Sequence, residues 1–89
     1  MEERIKEVLK DKLTDLKLCV YSVALEKEGS NLFLRISLDG EKLDLNNIVE
    51  ATKIIDPIVS KTVDEENLIE GSYILEVYGK SGEENNEKN

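Results

Sequence analysis

Reactive side chains are scarce in this chain, and the scarcity itself sorts the chemistry. Its 89 residues include no histidine and one cysteine. Without histidine there is no imidazole base, no imidazole metal ligand and no Ser–His or Cys–His couple. Cys19 lies in the run LCVYSVALE with no base beside it to draw off its proton. That setting predicts a buried, inert thiol. One cysteine makes neither an internal disulfide nor a multi-cysteine zinc site, and it fits a reducing, cytoplasmic compartment. Gly79-Lys80-Ser81 has the ending of a phosphate-binding loop. The full motif needs a glycine where Ile74 stands and a helix next, whose first amides would hold the phosphate. A polar tail follows instead, so the triplet reads as a flexible exit from a strand. Asp64, Glu65, Glu66 and Glu70 lack the alternate spacing and turn glycine of a calcium loop and read as a solvated acidic loop. No activated nucleophile, acid–base pair, metal set or cofactor site can be assembled. The expectation is a protein that is not an enzyme and takes no small-molecule substrate.

Charge narrows the partners. Twelve cationic and twenty anionic residues leave a formal charge of −8. Such a chain lacks the basic footprint of a nucleic-acid or anionic-membrane binder and would attract a basic protein. The acidity is uneven: five cations balance five anions through Lys17, and the excess lies beyond. No stretch approaches the ~18 apolar residues needed to span a bilayer, and MEERIKEVLK lacks the apolar stretch of a signal peptide. With one proline, five glycines and 39% apolar residues, the composition suits one small globular domain, its core built from Leu, Ile and Val.

The elements follow from periodicity. Ile5, Val8, Leu9 and Leu13 form one stripe of a helix over residues 2–13. Residues 18–26 read as a strand with both faces largely apolar, hence a central strand. One face would carry Cys19, Tyr21, Val23 and Leu25, and the other Leu18, Val20, Ser22 and Ala24. Lys27 to Asn31 is a turn leading into an alternating strand over 32–39, with Leu32, Leu34, Ile36 and Leu38 on one face and Phe33, Arg35 and Ser37 on the other. Asp44 is placed to cap a second helix, with Asn47 at its third position. Leu45, Ile48, Thr52, Ile55 and Val59 give that helix its stripe. Pro57 predicts a kink or break, with Asp56 capping a final turn. An acidic loop over 63–71 leads to a third strand over 72–78, with Tyr73, Leu75 and Val77 inward.

The expected fold class is α/β of the α+β kind, in the order α-β-β-α-β. A right-handed crossover would lay the third strand parallel to the second and beside the first. That gives a three-stranded sheet with two helices packed on one face, spanning residues 1–79. Residues 80–89 would form a disordered, polar tail. The sheet's second face would then carry Ser22, Ala24, Phe33, Arg35, Ile74, Glu76 and Tyr78, a mixture suited to docking. Phe33 beside Arg35 is either a partner anchor or simply a cover for that face. Phe33, Arg35, Asp39, Glu76 and Tyr78 are the candidate partner-binding residues.

The order and spacing of several segments resemble the N-terminal domain of the ribosome maturation factor RimP family. The residues that carry the resemblance are Glu28-Gly29-Ser30-Asn31 in the turn, then Leu34-Arg35 and the closing Asp39. Leu43, Asp44 and Leu45 follow at the helix start, and Gly71, Tyr73, Leu75, Glu76 and Val77 in the last strand. The resemblance covers about residues 3–78. Departures are the Tyr78-Gly79-Lys80-Ser81-Gly82 run in place of Ser-Ser-Pro-Gly, Tyr21 and Ala24 at positions often acidic (with Ser22 and Ala24, the closer match, also neutral), and Ile48 where a cysteine is frequent. The family's second domain, a small SH3-like barrel, has no counterpart here, which implies either a fragment or a single-domain relative. The resemblance implies a cytoplasmic, non-catalytic factor that assists late assembly of the small (30S) ribosomal subunit. The acidity implies docking through a basic ribosomal protein, with weak or no direct nucleic-acid binding. The competing expectation is a stand-alone protein-interaction module, binding a peptide or a second copy, unrelated to ribosomes.

Overall fold

The computed structural model describes residues 1–81 and the backbone of Glu84–Asn85. The elements are α1 (Glu2–Leu9), a short 3-10 turn (Thr14–Leu16), β1 (Leu18–Glu28), β2 (Asn31–Gly40), α2 (Leu45–Glu66), β3 (Ile74–Gly79) and the two-residue β4 (Glu84–Asn85). The fold is α+β, with helix, two strands, helix and strand in the expected order and both helices on one face of a mixed sheet.

The sheet runs β1-β2-β3-β4. β1 pairs antiparallel with β2, and β3 parallel with β2. β2 is therefore the central strand and β1 an edge, and β3 lies beside β2 rather than beside β1. The chemistry of the strands accounts for both corrections. Leu34, Ile36 and Leu38 are fully buried, so the row needs cover from neighbours on both flanks. β1 ends in exposed Glu26, Lys27 and Glu28, which suit an edge.

Gly29 and Ser30 form the loop of the β1–β2 hairpin, with Glu28 opposite Asn31 and Gly29 at φ 62°. Within β1 the register slips between Val20 and Ser22, leaving Tyr21 as the extra residue of a bulge. The bulge changes which residues share a face. Leu18 and Val20 stand opposite Gly40 and Leu38, and past the bulge Val23 and Leu25 stand opposite Ile36 and Leu34. All four belong to the helix-covered side. The strict alternation expected from the sequence fails at this one residue, and it puts Tyr21 55% exposed.

α1 is shorter than its apolar stripe. It stops at Leu9, and Asp11 takes a left-handed conformation at φ 65°. The turn that follows still delivers Leu13 into the core beside Ile5 and Leu9. α2 is longer than expected. Asp44 caps it, its carboxylate accepting from the Asn47 N–H at 2.8 Å. The Asn47 side chain donates in turn to the Leu16 and Lys42 carbonyls. The helix then runs unbroken through Pro57 to Glu66. The Pro57 ring lies on the exposed side, where a helix tolerates the lost backbone donor, while Ile55, Val59 and Val63 are buried on either side of it. Asp56 caps nothing, and Asp64, Glu65 and Glu66 belong to the last helical turn rather than to a loop. Arg4 clips the two helices together, its Nε and Nη2 donating to Glu66 at 2.9 and 2.8 Å.

The tail departs from a simple disordered exit at two points. The Lys80 N–H donates to the Leu38 carbonyl at 2.8 Å, and Glu84–Asn85 pair with Tyr78 and Val77. The rest of the expected tail, residues 82–83 and 86–89, lies outside the described residues.

Candidate functional site

Alternation along β2 sends Phe33, Arg35, Ser37 and Asp39 away from the helices. The parallel register then sets Ile74 beside Phe33, Glu76 beside Arg35 and Tyr78 beside Ser37. Across the hairpin, Glu26 faces Phe33, Ala24 faces Arg35, Ser22 faces Ser37 and Cys19 faces Asp39. Phe33, Arg35, Asp39, Glu76 and Tyr78 thus share one open sheet face.

Arg35 organises the upper part of that face. Its Nη1 donates to Glu26 Oε1 at 2.7 Å and to Glu28 Oε2 at 2.8 Å, and its Nε donates to Glu76 Oε1 at 2.8 Å. Its guanidinium lies over the Phe33 ring, 4.5 Å from the centroid. Three carboxylates surround one cation, so the cluster carries a surplus of two negative charges. Arg35 holds the Glu28 carboxyl below the ordinary glutamate range through their hydrogen bond. The same bonds, Glu28's first, raise the guanidinium's own affinity for its proton. Arg35 is therefore a fixed spoke for its neighbours, with its side chain only 20% exposed.

The lower part is built round Asp39 and Lys80. Lys80 Nζ stands 3.5 Å from Asp39 Oδ2 and 5.1 Å from the centroid of the Tyr21 ring, which the bulge turns outward. The second Asp39 oxygen accepts from the Gly40 N–H at 2.7 Å. Lys80 is thus bound into the sheet face rather than free to grip a phosphate. Between the two clusters the Ser22 and Ser37 hydroxyls bond each other, with Tyr78 alongside. Cys19 is exposed rather than buried, because alternation before the bulge puts it on this open side. Among the described residues, no three His, Cys, Asp or Glu side chains gather closely enough to hold a metal ion.

Sequence reasoning missed Glu26, Glu28, Tyr21 and Lys80. The first two were within reach: counting back from the Gly29-Ser30 loop lays Glu26 and Glu28 along the Phe33–Arg35 flank. Nothing in the run around Tyr21 announces a bulge.

Taken together, one helix-clad face and one open face of paired charges and aromatics describe an α+β domain, and no helix among the described residues is long and apolar enough to cross a membrane. A family pattern carries the assignment further. The RimP N-terminal domain matches residues 8–79, most of the chain, and this protein belongs to that family of ribosome maturation factors.

Proposed function

We propose that this domain assists late assembly of the small ribosomal subunit by docking, without chemical reaction, on a basic ribosomal protein through its open sheet face. The observation that carries the reading is the fan of Glu26, Glu28 and Glu76 around Arg35, with Phe33 beneath it. Carboxylates held in place by an internal cation meet a partner's lysines and arginines with little ordering cost. Phe33 and Tyr78 supply the apolar contact area that pure charge would lack. The family match sets the context, ribosome maturation. The small subunit, the cytoplasm and the basic protein partner are the finer parts of the proposal. On this reading residues 1–79 are the docking domain, Asp39 lies at the lower rim of the contact, and naked RNA is held off by the net charge of −8. Neither a cofactor nor a substrate is part of the action.

The test is cosedimentation of the protein, in its full-length context, with purified ribosomal subunits. Binding to small subunits and not to large ones is expected. Absence of any ribosomal association would overturn the proposal.

A further inference from the structure

The end of β2 carries a pair of residues whose chemistry docking leaves unused. Asp39-Gly40 is the only place in the chain where an aspartate or asparagine precedes a glycine. Such a pair can close on itself: the glycine's backbone nitrogen attacks the aspartate's carboxyl carbon and makes a succinimide ring. A fold forbids this when it commits that nitrogen to a ladder or screens it with a side chain. Here it does neither.

The Leu38 carbonyl turns toward β3 and meets the Lys80 N–H at 2.8 Å. Gly40, two residues on, directs its own N–H to the same side. β3 has already ended there, its last register partner being Gly79 opposite Leu38. On the other flank Leu18 stands opposite Gly40 and gives its N–H to the Leu13 carbonyl. Among the described residues no backbone carbonyl takes the Gly40 N–H, which donates instead to Asp39 Oδ1 at 2.7 Å. That contact brings Cγ, one bond beyond Oδ1, up to the nitrogen. Lys80 Nζ, 3.5 Å from Oδ2, holds the carboxyl from its other end. Two reacting groups held together in this way need no encounter. The nitrogen also stays unscreened, because a Cβ on Gly40 would run into the Lys17 carbonyl oxygen. With the Asp39 side chain 39% exposed, water reaches the site.

We propose that Asp39-Gly40 is a site of self-modification, at which the chain closes to a succinimide and reopens as isoaspartate. With the carboxyl in its acid form, the N–Cγ bond forms, the Cγ–OH bond breaks, and the hydroxyl leaves with the amide proton as water. Water then adds to one of the two ring carbonyls. Addition at Cγ restores aspartate. Addition at the main-chain carbon of Asp39 breaks its bond to the Gly40 nitrogen and leaves isoaspartate. One water departs and one returns, so nothing is oxidised or reduced. The main chain then runs through the former side chain, which takes the carboxyl from Lys80 and lengthens β2 where Asp39 pairs with Cys19. The isoaspartyl carboxylate so exposed is a substrate for a methyltransferase that esterifies such groups with S-adenosylmethionine. The change is independent of whether the open sheet face docks on the ribosome.

The experiment holds the whole protein in heavy-oxygen water at neutral pH and body temperature for several weeks. Peptide mapping with electron-transfer fragmentation then tells isoaspartate from aspartate. The free peptide Ser-Leu-Asp-Gly-Glu-Lys is treated alongside. Isoaspartate and heavy oxygen should appear at Asp39 before any other aspartate, at a rate within about tenfold of the peptide's. Asp39→Glu keeps a carboxylate but needs a larger ring, and should show neither at that position. An Asp39 still unchanged when the peptide has converted would overturn the proposal, since the fold would then protect the pair. So would earlier conversion of another aspartate, or an equal uptake of heavy oxygen at that position in Asp39→Glu.

Discussion

The two faces of one strand, β2, have opposite construction. On the covered side Leu34, Ile36 and Leu38 are fully buried against Ile5, Leu9, Ile48, Ile55 and Val59, with no polar atom among their side chains. On the open side Phe33, Arg35 and Asp39 are held by ion pairs, a ring contact and a turn amide. The covered side owes its stability to area removed from water, which is worth about 25 cal/mol per Å². The open side adds less: Arg35 pairs there with the exposed Glu26 and Glu28, ion pairs of that kind are worth about 0–1 kcal/mol each, and the inner pair with Glu76, half-buried on both sides, fixes the cluster's geometry. The contrast teaches how sharply a sheet divides its side chains: one residue along the strand, the environment changes from dry core to a solvent-facing network of charges.

Substitutions on either side of that division should therefore separate stability from binding. Ile36→Ala, fully buried at the centre of the covered face, should cost about 2–5 kcal/mol and take the domain close to unfolding. Urea denaturation followed by far-UV circular dichroism measures it. Gly40→Ala comes next. Gly40 sits at φ 151°, and an added Cβ would run into the Lys17 carbonyl oxygen. The backbone strain alone should cost about 1–3 kcal/mol, read by the same unfolding midpoint. Asp44→Ala should cost about 0.5–2 kcal/mol through loss of the helix cap, and an unchanged midpoint would remove Asp44 from that role.

Arg35→Ala should lower the midpoint less than Ile36→Ala does, yet it frees Glu26, Glu28 and Glu76 from their common spoke and should weaken partner binding. A large loss of stability in that variant would erase the contrast between the faces. The smallest effect is one of pH. The Glu28 and Glu66 carboxyls are held below their ordinary range by Arg35 and Arg4. Their ion pairs therefore contribute stability above the unfolded glutamate value of about 4.3, and lose it as pH falls through the lower folded values. Acid titration of the unfolding midpoint should show a shallower decline below that pH in Arg35→Ala than in the unaltered chain.

The regular parts of this fold were legible because their periodicity is local. Leu34, Ile36 and Leu38 alternate without interruption, and Asp44 stands three residues before Asn47, so ridge and cap could both be read directly. The α-β-β-α-β order and the RimP resemblance were legible from the spacing of such segments. The misreadings share a different cause. Whether Pro57 breaks a helix depends on which side its ring faces, and that is settled by Ile55, Val59 and Val63 packing on a sheet still to be formed. Tyr21 bulges within a run that looks like uniform strand, and the slip exposes Cys19. Strand order hangs on the burial each strand demands from its neighbours, which made β1 look central when its charged end marks an edge. The members of the candidate site were legible singly, by alternation. Their mutual pairing was not, since Arg35 meets Glu76 across forty-one residues of chain.

Sedimentation with ribosomal subunits puts the central claim to its most direct trial, with the unaltered protein and the Arg35→Ala variant run side by side in their full-length context. The account predicts that the unaltered protein travels with the small subunit and not the large. The variant should still be folded under the conditions of the run, as its circular dichroism checks, and remain largely at the top of the gradient. Equal association of the two proteins would contradict the role given to the open sheet face, and association of neither would contradict the ribosomal reading itself.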